Sequence, residues 1–330
     1  MSNGGRPTLV DVARAAGVST ALVSIVMRGA PGASEKTRER VKRIADELGY
    51  VPDQRARKLR QTRSRLLGVV FELQQPFHGD LVEQLYAAAA ARGYDLVISA
   101  VAPSRPESTA VRDLVRERCE AAILLGSGLP DDDLAALTRD VPTLVVARAS
   151  GIPGVGSVRG DDVAGITLAV DHLVDLGHRR IAHIDGAGAP GSADRTAGFV
   201  AATKGHRVGS AVVTGGLTEA DGARGMRELL DRNHPPTGVV AFNDRVATGV
   251  LDQLVRRGLD VPGDISVVGY DDSRLARIPH VAMTTVSQDG AAMAQAAVAA
   301  ALAQVAGEPP ADLVLPPHLV TRATTAPVSR

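Results

Sequence analysis

Thr8-Leu9-Val10-Asp11-Val12-Ala13-Arg14-Ala15-Ala16-Gly17-Val18-Ser19-Thr20-Ala21-Leu22-Val23-Ser24-Ile25-Val26-Met27 decides how the first part of this chain folds. Thr8 and Asp11 stand three apart as a capping box, the hydroxyl accepting from the Asp11 amide while the carboxylate reaches back. This spacing predicts a short helix from Leu9 to about Ala16. Gly17 stops it, because the tight turn between two helices wants a residue that tolerates positive φ. Ser19 caps a second helix, Thr20 to about Met27, with Val23 and Val26 facing inward. Ala13, Gly17 and Val23 together give helix-turn-helix spacing: a small residue at the helix crossing, a glycine in the turn, and a branched residue locking the second helix on the first. A third helix capped by Ser34 puts Val41, Ile44, Ala45 and Leu48 on one stripe and ends at Gly49.

Charge gathers on the same region. The 330 residues carry 37 Lys+Arg and 37 Asp+Glu, a formal net charge of zero. Met1 to Arg65 hold 14 basic and 6 acidic residues, or +8, so the remainder carries −8. The asymmetry suggests a head for a polyanion on a body with another task. Three short helices with this balance read as a DNA-binding head whose second helix enters the major groove, the alternative being a three-helix cap with a solvated basic face. From Asp53 through Arg65 there are six cations and no further acid. Such a peptide repels itself when free, and phosphates turn the repulsion into attraction, so helix formation there can be coupled to DNA binding. Ala56 and Leu59 would share one face of that helix.

From Leu66 onward the chain alternates buried-strand runs with helical stretches. Strands are expected at residues 66–71, 94–99, 121–125 and 143–146, with a helix from about Gly79 to Arg92; the grammar restarts at Arg180, with strands near 211–213, 238–242 and 265–268. Apolar strands spaced by helices imply parallel sheets, and two such series imply a bilobed body with a cleft. The longest apolar runs fall far short of the roughly 20 residues that span a bilayer, and no signal-like segment opens the chain, so a cytoplasmic protein without a membrane partner is expected. The single cysteine, Cys119, excludes an internal disulfide framework and reads as a small packed hydrophobe.

Enzymatic motifs are weak. Gly186-Ala187-Gly188-Ala189-Pro190-Gly191 follows a strand and reads G-x-G-x-x-G, but the next strand ends Val212-Val213-Thr214-Gly215 without the carboxylate that would hold a ribose. A mobile loop at the cleft mouth is the expectation instead. The eight histidines show no metal-ligand spacing, and neither a G-x-S-x-G elbow nor a P-loop is present. His172 and His178 read as helix-end packing residues. No enzyme, cofactor or metal is therefore expected. What remains is a cleft lined by strand-end polar groups: Gln74, Gln75 and Phe77, then Arg148, Asp194 and Arg195, Asn243 and Asp244, Asp271 and Asp272, and Gln288. Carboxylates, amides and a guanidinium suit a polyhydroxylated ligand, since each hydroxyl both donates and accepts.

Residues 8–13, Ala16-Gly17-Val18-Ser19, Val23-Ser24, residues 34–41 and Leu48-Gly49-Tyr50-Val51-Pro52 resemble the head of the lactose-repressor (LacI/GalR) family of bacterial transcription regulators, and the resemblance continues through the whole chain. It implies an N-terminal all-α helix-turn-helix head (residues 1–52), a hinge helix (53–65), and an α/β bilobed periplasmic-binding-protein-like body (66–330) with two doubly wound parallel sheets. The implied crossings between lobes fall near Gly160, Gln288 and Arg322, giving an N-lobe of about 66–159 and 289–321 and a C-lobe of about 160–288 and 322–330. The implied function is a sequence-specific regulator, a repressor, binding double-stranded operator DNA as a homodimer under control of a sugar-like effector. A cytoplasmic small-molecule (sugar) binding protein is the alternative, and an NAD-dependent dehydrogenase a less favoured one.

On that resemblance Thr8, Ser19 and Ser24 position the head on phosphates, while Thr20, Ala21 and Ile25 read base edges. Leu9, Arg28, Ser34, Thr37 and Tyr50 complete the DNA-facing set. Leu59 matches the leucine that wedges into the central minor-groove step, flanked by Ala56 and Arg60. Gln75, Phe77, Arg148, Arg195, Asn243, Asp271 and Gln288 are the expected effector residues. Three positions depart from the family pattern: Asp53 replaces an asparagine, Ile25 a polar residue and Ala147 a common aspartate. No leucine heptad follows the last expected strand, which favours a dimer over a tetramer.

Overall fold

The computed structural model describes residues 7–27, 29–50 and 63–328. Arg28 and the hinge positions Ala56, Leu59 and Arg60 lie outside the described residues. The chain divides into two compact units, Met1–Ser64 and Arg65–Arg330.

The first unit is built from α1 (Leu9–Ala16), α2 (Thr20–Met27) and α3 (Glu35–Glu47). Thr8 and Asp11 form the reciprocal capping box, Gly17 closes α1 at φ 63°, and its amide donates back to the α1 carbonyls. Ser34 Oγ accepts from the Thr37 amide to open α3. Val12, Ala13, Ala16, Val23, Val26, Val41 and Ala45 make one small core, with Leu9, Ile44 and Tyr50 packed against it. Leu48, expected on the inward stripe, is instead 39% exposed. It is the C-cap of α3 and lies at the end of the helix, outside the small core rather than within it.

The second unit holds two sheets of six strands. The first collects β1 (Leu66–Glu72), β2 (Asp95–Val101), β3 (Ala121–Leu125), β4 (Thr143–Val146), β5 (Val155–Gly160) and β11 (Asp312–Leu315) in the order β11-β5-β4-β3-β1-β2, every pair parallel. The second collects β6 (Arg180–Ile184), β7 (Gly209–Val213), β8 (Gly238–Ala241), β9 (Ser266–Asp271), β10 (Thr284–Ser287) and β12 (His318–Val320) in the order β12-β10-β9-β8-β6-β7. Only β12 there runs antiparallel, against β10. Helices α4 (Pro76–Ala90) and α11 (Gly290–Val305) cover one face of the first sheet, and α5 (Glu107–Arg116) and α6 (Asp131–Leu137) the other. On the second sheet α7 (Asp162–Asp175) and α8 (Ser192–Gly205) cover one face, α9 (Glu219–Leu230) and α10 (Asp244–Arg256) the other. Helices on both faces explain why the central strands read as unbroken apolar runs.

Helices α9 and α10 cross with their backbones nearly in contact. A Cβ at Gly249 would lie 1.8 Å from the Glu219 carbonyl oxygen, and one at Gly222 2.0 Å from that of Val246. Arg245 staples the same crossing with two hydrogen bonds to Glu219, at 2.9 and 2.6 Å.

Two sequence expectations need correction. Helix α4 starts at Pro76 rather than Gly79, since proline suits the first helical turn, where no intrahelical amide partner is needed. The third lobe crossing lies at Pro316-Pro317, between β11 on the first sheet and β12 on the second, rather than near Arg322. Residues 318–321, assigned to the N-lobe from sequence, therefore follow the second sheet. Beyond β12 the tail is tied to that lobe: Thr324 Oγ1 donates to the Val267 carbonyl (2.7 Å) and the Ala326 amide to Ser266 Oγ (3.1 Å). His172 and His178 hold it too, through Thr325 Oγ1 (2.9 Å) and the Ala326 carbonyl (3.3 Å). No single helix among the described residues is long and apolar enough to cross a membrane.

Candidate functional site

In the head, Thr20 and Ala21 are exposed at the start of α2, and Ser24 and Ile25 are half-buried. Ser19 Oγ accepts from the Leu22 amide at 3.2 Å and stays at the surface. The first-turn amides of α2 and this hydroxyl form the kind of helix N-terminus that accommodates phosphate. Thr8 is committed to Asp11 (2.6 Å), and Ser34 and Thr37 hydrogen-bond each other (2.9 Å), so Thr8 and Ser34 act as caps and Thr37 as the partner of one. Leu9 and Tyr50 support the core. Ile25 leans toward the α2–α3 loop, where a Cβ at Gly32 would meet it at 3.7 Å. Lys36, Arg40, Lys42 and Arg43 stand exposed on α3.

In the body, both sheets share one strand order, and the carboxyl ends of their strands carry the polar groups singled out from sequence. Arg195, on the first turn of α8, is 5% exposed. Its Nε donates to Asp162 Oδ1 (2.8 Å) and its Nη1 to the Phe242 carbonyl (2.6 Å). The guanidinium carbon lies 3.6 Å from the Tyr270 ring centre and 4.6 Å from that of Phe242. Burial works against the charge, but Asp162, Tyr270 and Asp271 more than offset it and hold the guanidinium pKa above its usual value.

Asp271 ends β9 at φ 108°, a left-handed value that a non-glycine residue adopts only under constraint. Gln288 Nε2 donates to its Oδ1 (2.7 Å), and Gln288 is itself packed against Gly160 at the first crossing. Burial pushes the Asp271 carboxyl up to about 8, with the Arg195 charge opposing. Arg195, Asp271 and Gln288 are thus brought together. Asn243 and Asp244 turn inward instead. Asn243 Oδ1 caps α10 through the Val246 amide (2.8 Å), and Asp244 accepts from the Ser273 amide and hydroxyl and from Thr285 Oγ1.

On the N-lobe, Gln75 precedes α4 without spending its side chain on the cap. Phe77 is 7% exposed and belongs to the N-lobe core, so it is enclosed rather than presented as an open stacking surface. Arg148 Nη1 donates to the Ser127 carbonyl (2.6 Å), with Asp131 at 3.7 Å. Asp194 is exposed, and Asp272 is bound by Arg322 at 2.6 Å. The Gly186 to Gly191 segment is pinned rather than loose: the Gly186 amide donates to Ser192 Oγ (3.1 Å) and the Ala187 amide to Asp185 Oδ1 (2.9 Å). A Cβ at Gly186 would meet the Phe242 ring at 2.6 Å, so this glycine serves packing. Sequence reading missed Asp162 and Tyr270. The signal for Asp162 was the Asp161-Asp162 pair directly after the Gly160 crossing; Tyr270, two residues past the expected strand at 265–268, gave none.

A helix-turn-helix head joined to a bilobed body, with a clamped arginine and acids at the carboxyl ends of its strands, defines a ligand-sensing DNA-binding protein. Known proteins agree. Residues 8–53 match the family of bacterial regulatory proteins of the lacI family, and residues 170–325 that of a periplasmic binding protein-like domain. The HTH-type transcriptional regulator GalR of Escherichia coli (strain K12) is 35% identical over 325 residues, covering 96% of this chain and 94% of that protein. A LacI transcriptional regulator from a Rhodococcus species is 71% identical over a structure that covers 80% of this chain and all of its own, with a TM-score of 0.80. The lac repressor dimer bound to operator and the anti-inducer ONPF is 31% identical and covers 98% of this chain and all of its own, with a TM-score of 0.83. The chain belongs to the lacI family of bacterial regulatory proteins: it is a DNA-binding transcriptional regulator and not an enzyme.

Proposed function

We propose that this regulator is a cytoplasmic, dimeric repressor whose grip on operator DNA is set by a small polyhydroxylated effector, a sugar or sugar derivative, in the cleft between the lobes. The observation that carries the effector half is the Arg195 clamp, with Asp271 and Gln288 beside it: a fixed donor, a carboxyl and an amide within one small region match ligand hydroxyls that donate and accept. The similarity to the regulator GalR and to a lac repressor dimer bound to its operator supports both halves. Asn243 contributes by fixing the start of α10, Gln75 and Arg148 from the N-lobe side, and Phe77 by anchoring the start of α4 on the N-lobe core.

In the head, Ser19, Ser24 and the α2 amides contact phosphate, with Thr8, Leu9, Ser34, Thr37 and Tyr50 holding the helices in register. Thr20 and Ala21 meet base edges, and Ile25 offers an apolar edge to a thymine methyl. Arg28 adds a contact from the head itself, and Ala56, Leu59 and Arg60 extend it along the segment that joins head and body. Effector and operator are then linked through one two-state body.

Selection of operator DNA from a random pool, repeated with a carbohydrate panel, tests both halves at once. The expected product is a palindrome bound by the full chain, with affinity falling about a thousandfold or more between 50 and 200 mM salt if six or more phosphates are neutralised. Affinity indifferent to salt would overturn the electrostatic role of the head. Affinity unchanged in Leu59→Ala would overturn the wedge alone.

A further inference from the structure

The two lobes are tied by a contact that the ligand-binding reading does not use. Asp80, in the second turn of α4 on the N-lobe, accepts from Arg274 Nε on Oδ1 (3.0 Å) and from the Arg274 backbone amide on Oδ2 (2.8 Å). Arg274 lies on the C-lobe, three residues beyond Asp271. The carboxylate therefore grips the loop itself as well as its side chain. Gly79 makes room for this: a Cβ there would lie 2.3 Å from Arg274 Nη2, so the guanidinium lies against the α4 backbone.

The same loop is anchored from the other side. The Ser273 amide and hydroxyl donate to buried Asp244 (2.7 and 2.8 Å), and Asp271 is held by Gln288. Asp271 and Asp272 both have positive φ, at 108° and 50°. A short loop with two non-glycine residues in left-handed backbone is thus stretched between the C-lobe interior and the N-lobe helix. Strained backbone of this kind persists only where surrounding contacts over-determine it.

We propose that Asp80 and Arg274 form a latch that keeps the cleft closed before any ligand arrives, and that the loop bearing Asp271 is the element it restrains. The proposal rests on the bilobed body and holds whatever the effector is. The side chains are 62% exposed at Arg274 and 23% at Asp80, so the ion pair is weak and screened by salt. A weak tie suits a latch: it shifts the balance between open and closed forms by a modest factor and still lets the cleft open for exchange. An effector that touches both lobes then meets a body already biased toward the closed form, and its apparent affinity rises with that population.

Amide hydrogen exchange on the full chain, without ligand, tests the latch. Asp80→Ala is expected to raise exchange in residues 272–276 by about fivefold or more, because both bonds are lost. Arg274→Ala should raise it less, since the backbone amide of residue 274 still donates to Asp80. The double variant should match Asp80→Ala rather than add to it. Salt raised from 0.05 to about 0.5 M should loosen the same segment in the parent protein and leave Asp80→Ala flat. Gly79→Ala supplies a second route: it favours the helix yet displaces the guanidinium, so exchange in the loop should rise while thermal stability holds. Unchanged exchange in Asp80→Ala overturns the latch. So does a rise spread evenly over β8, β9 and α10, which would report a destabilised lobe.

Discussion

Arg195→Leu is expected to lower the stability of the full chain by about 3–5 kcal/mol and to abolish its response to effector. Removing one partner of a buried ion pair leaves the other charge uncompensated, and here the partners are only 6% and 7% exposed. The loss also strands the Phe242 carbonyl and removes the guanidinium from the faces of the Tyr270 and Phe242 rings. Asp271 would lose the positive charge that opposes its upward shift, so it stays protonated further into the alkaline range. Against a total of roughly 5–15 kcal/mol for a folded domain, a loss of this size is readily seen in urea denaturation. Folding and sensing separate in a second variant. Asp162→Leu with Arg195→Met removes both charges and is expected to recover much of the stability while effector response stays absent. Effector-dependent release of operator DNA by that double variant would remove Arg195 from the ligand site.

The second large effect is expected at Gly249→Ala, far from any proposed ligand contact. Alanine gains about 1 kcal/mol over glycine in a helix interior, so propensity alone forecasts stabilisation. The crossing forecasts the opposite, since the new methyl would sit 1.8 Å from a backbone oxygen of α9. Backbone cannot swing aside as a side-chain tip can, and overpacking costs about 1–3 kcal/mol or more. A net loss of about 2 kcal/mol, with the Arg245 to Glu219 pair disrupted, is the expected outcome. Gly205→Ala is the control: it also lies on a helix, and a Cβ there would meet nothing within 4 Å, so it should be neutral or stabilising. Equal behaviour of the two variants in thermal melts would refute close packing at α9 and α10.

The head was legible almost to the residue because its signals are local. A capping box, a turn glycine and a second cap each act within four residues, and α1 and α2 begin and end where those signals put them. The central strands were legible for a similar reason, as apolar runs bounded by polar loops. What escaped were elements whose partners are remote. β5, β10, β11 and β12 are short and mixed in character, and β11 and β12 pair with strands well over a hundred or several dozen residues upstream. The site divides the same way. Arg195, Asp271 and Gln288 could be marked from strand-end position and family resemblance, but Asp162, Tyr270 and the Asp80 to Arg274 contact depend on which strand ends the sheets bring together. Asn243 and Asp244 show another limit: polar type at a strand end gave no sign of the helix cap and the buried network that these side chains make.

The crossing at Pro316-Pro317 governs how the protein can be made. One strand on each side of it completes a different sheet, so neither lobe is whole until residues 312–320 have left the ribosome. The N-lobe must wait, lacking α11 and β11, while the whole second series of strands is synthesised. A truncated product ending before residue 312 would thus leave both lobes with an open sheet edge, a ready template for aggregation. Yet it would carry a finished head. Such a chain keeps the first unit whole while both sheets of the second lack a strand.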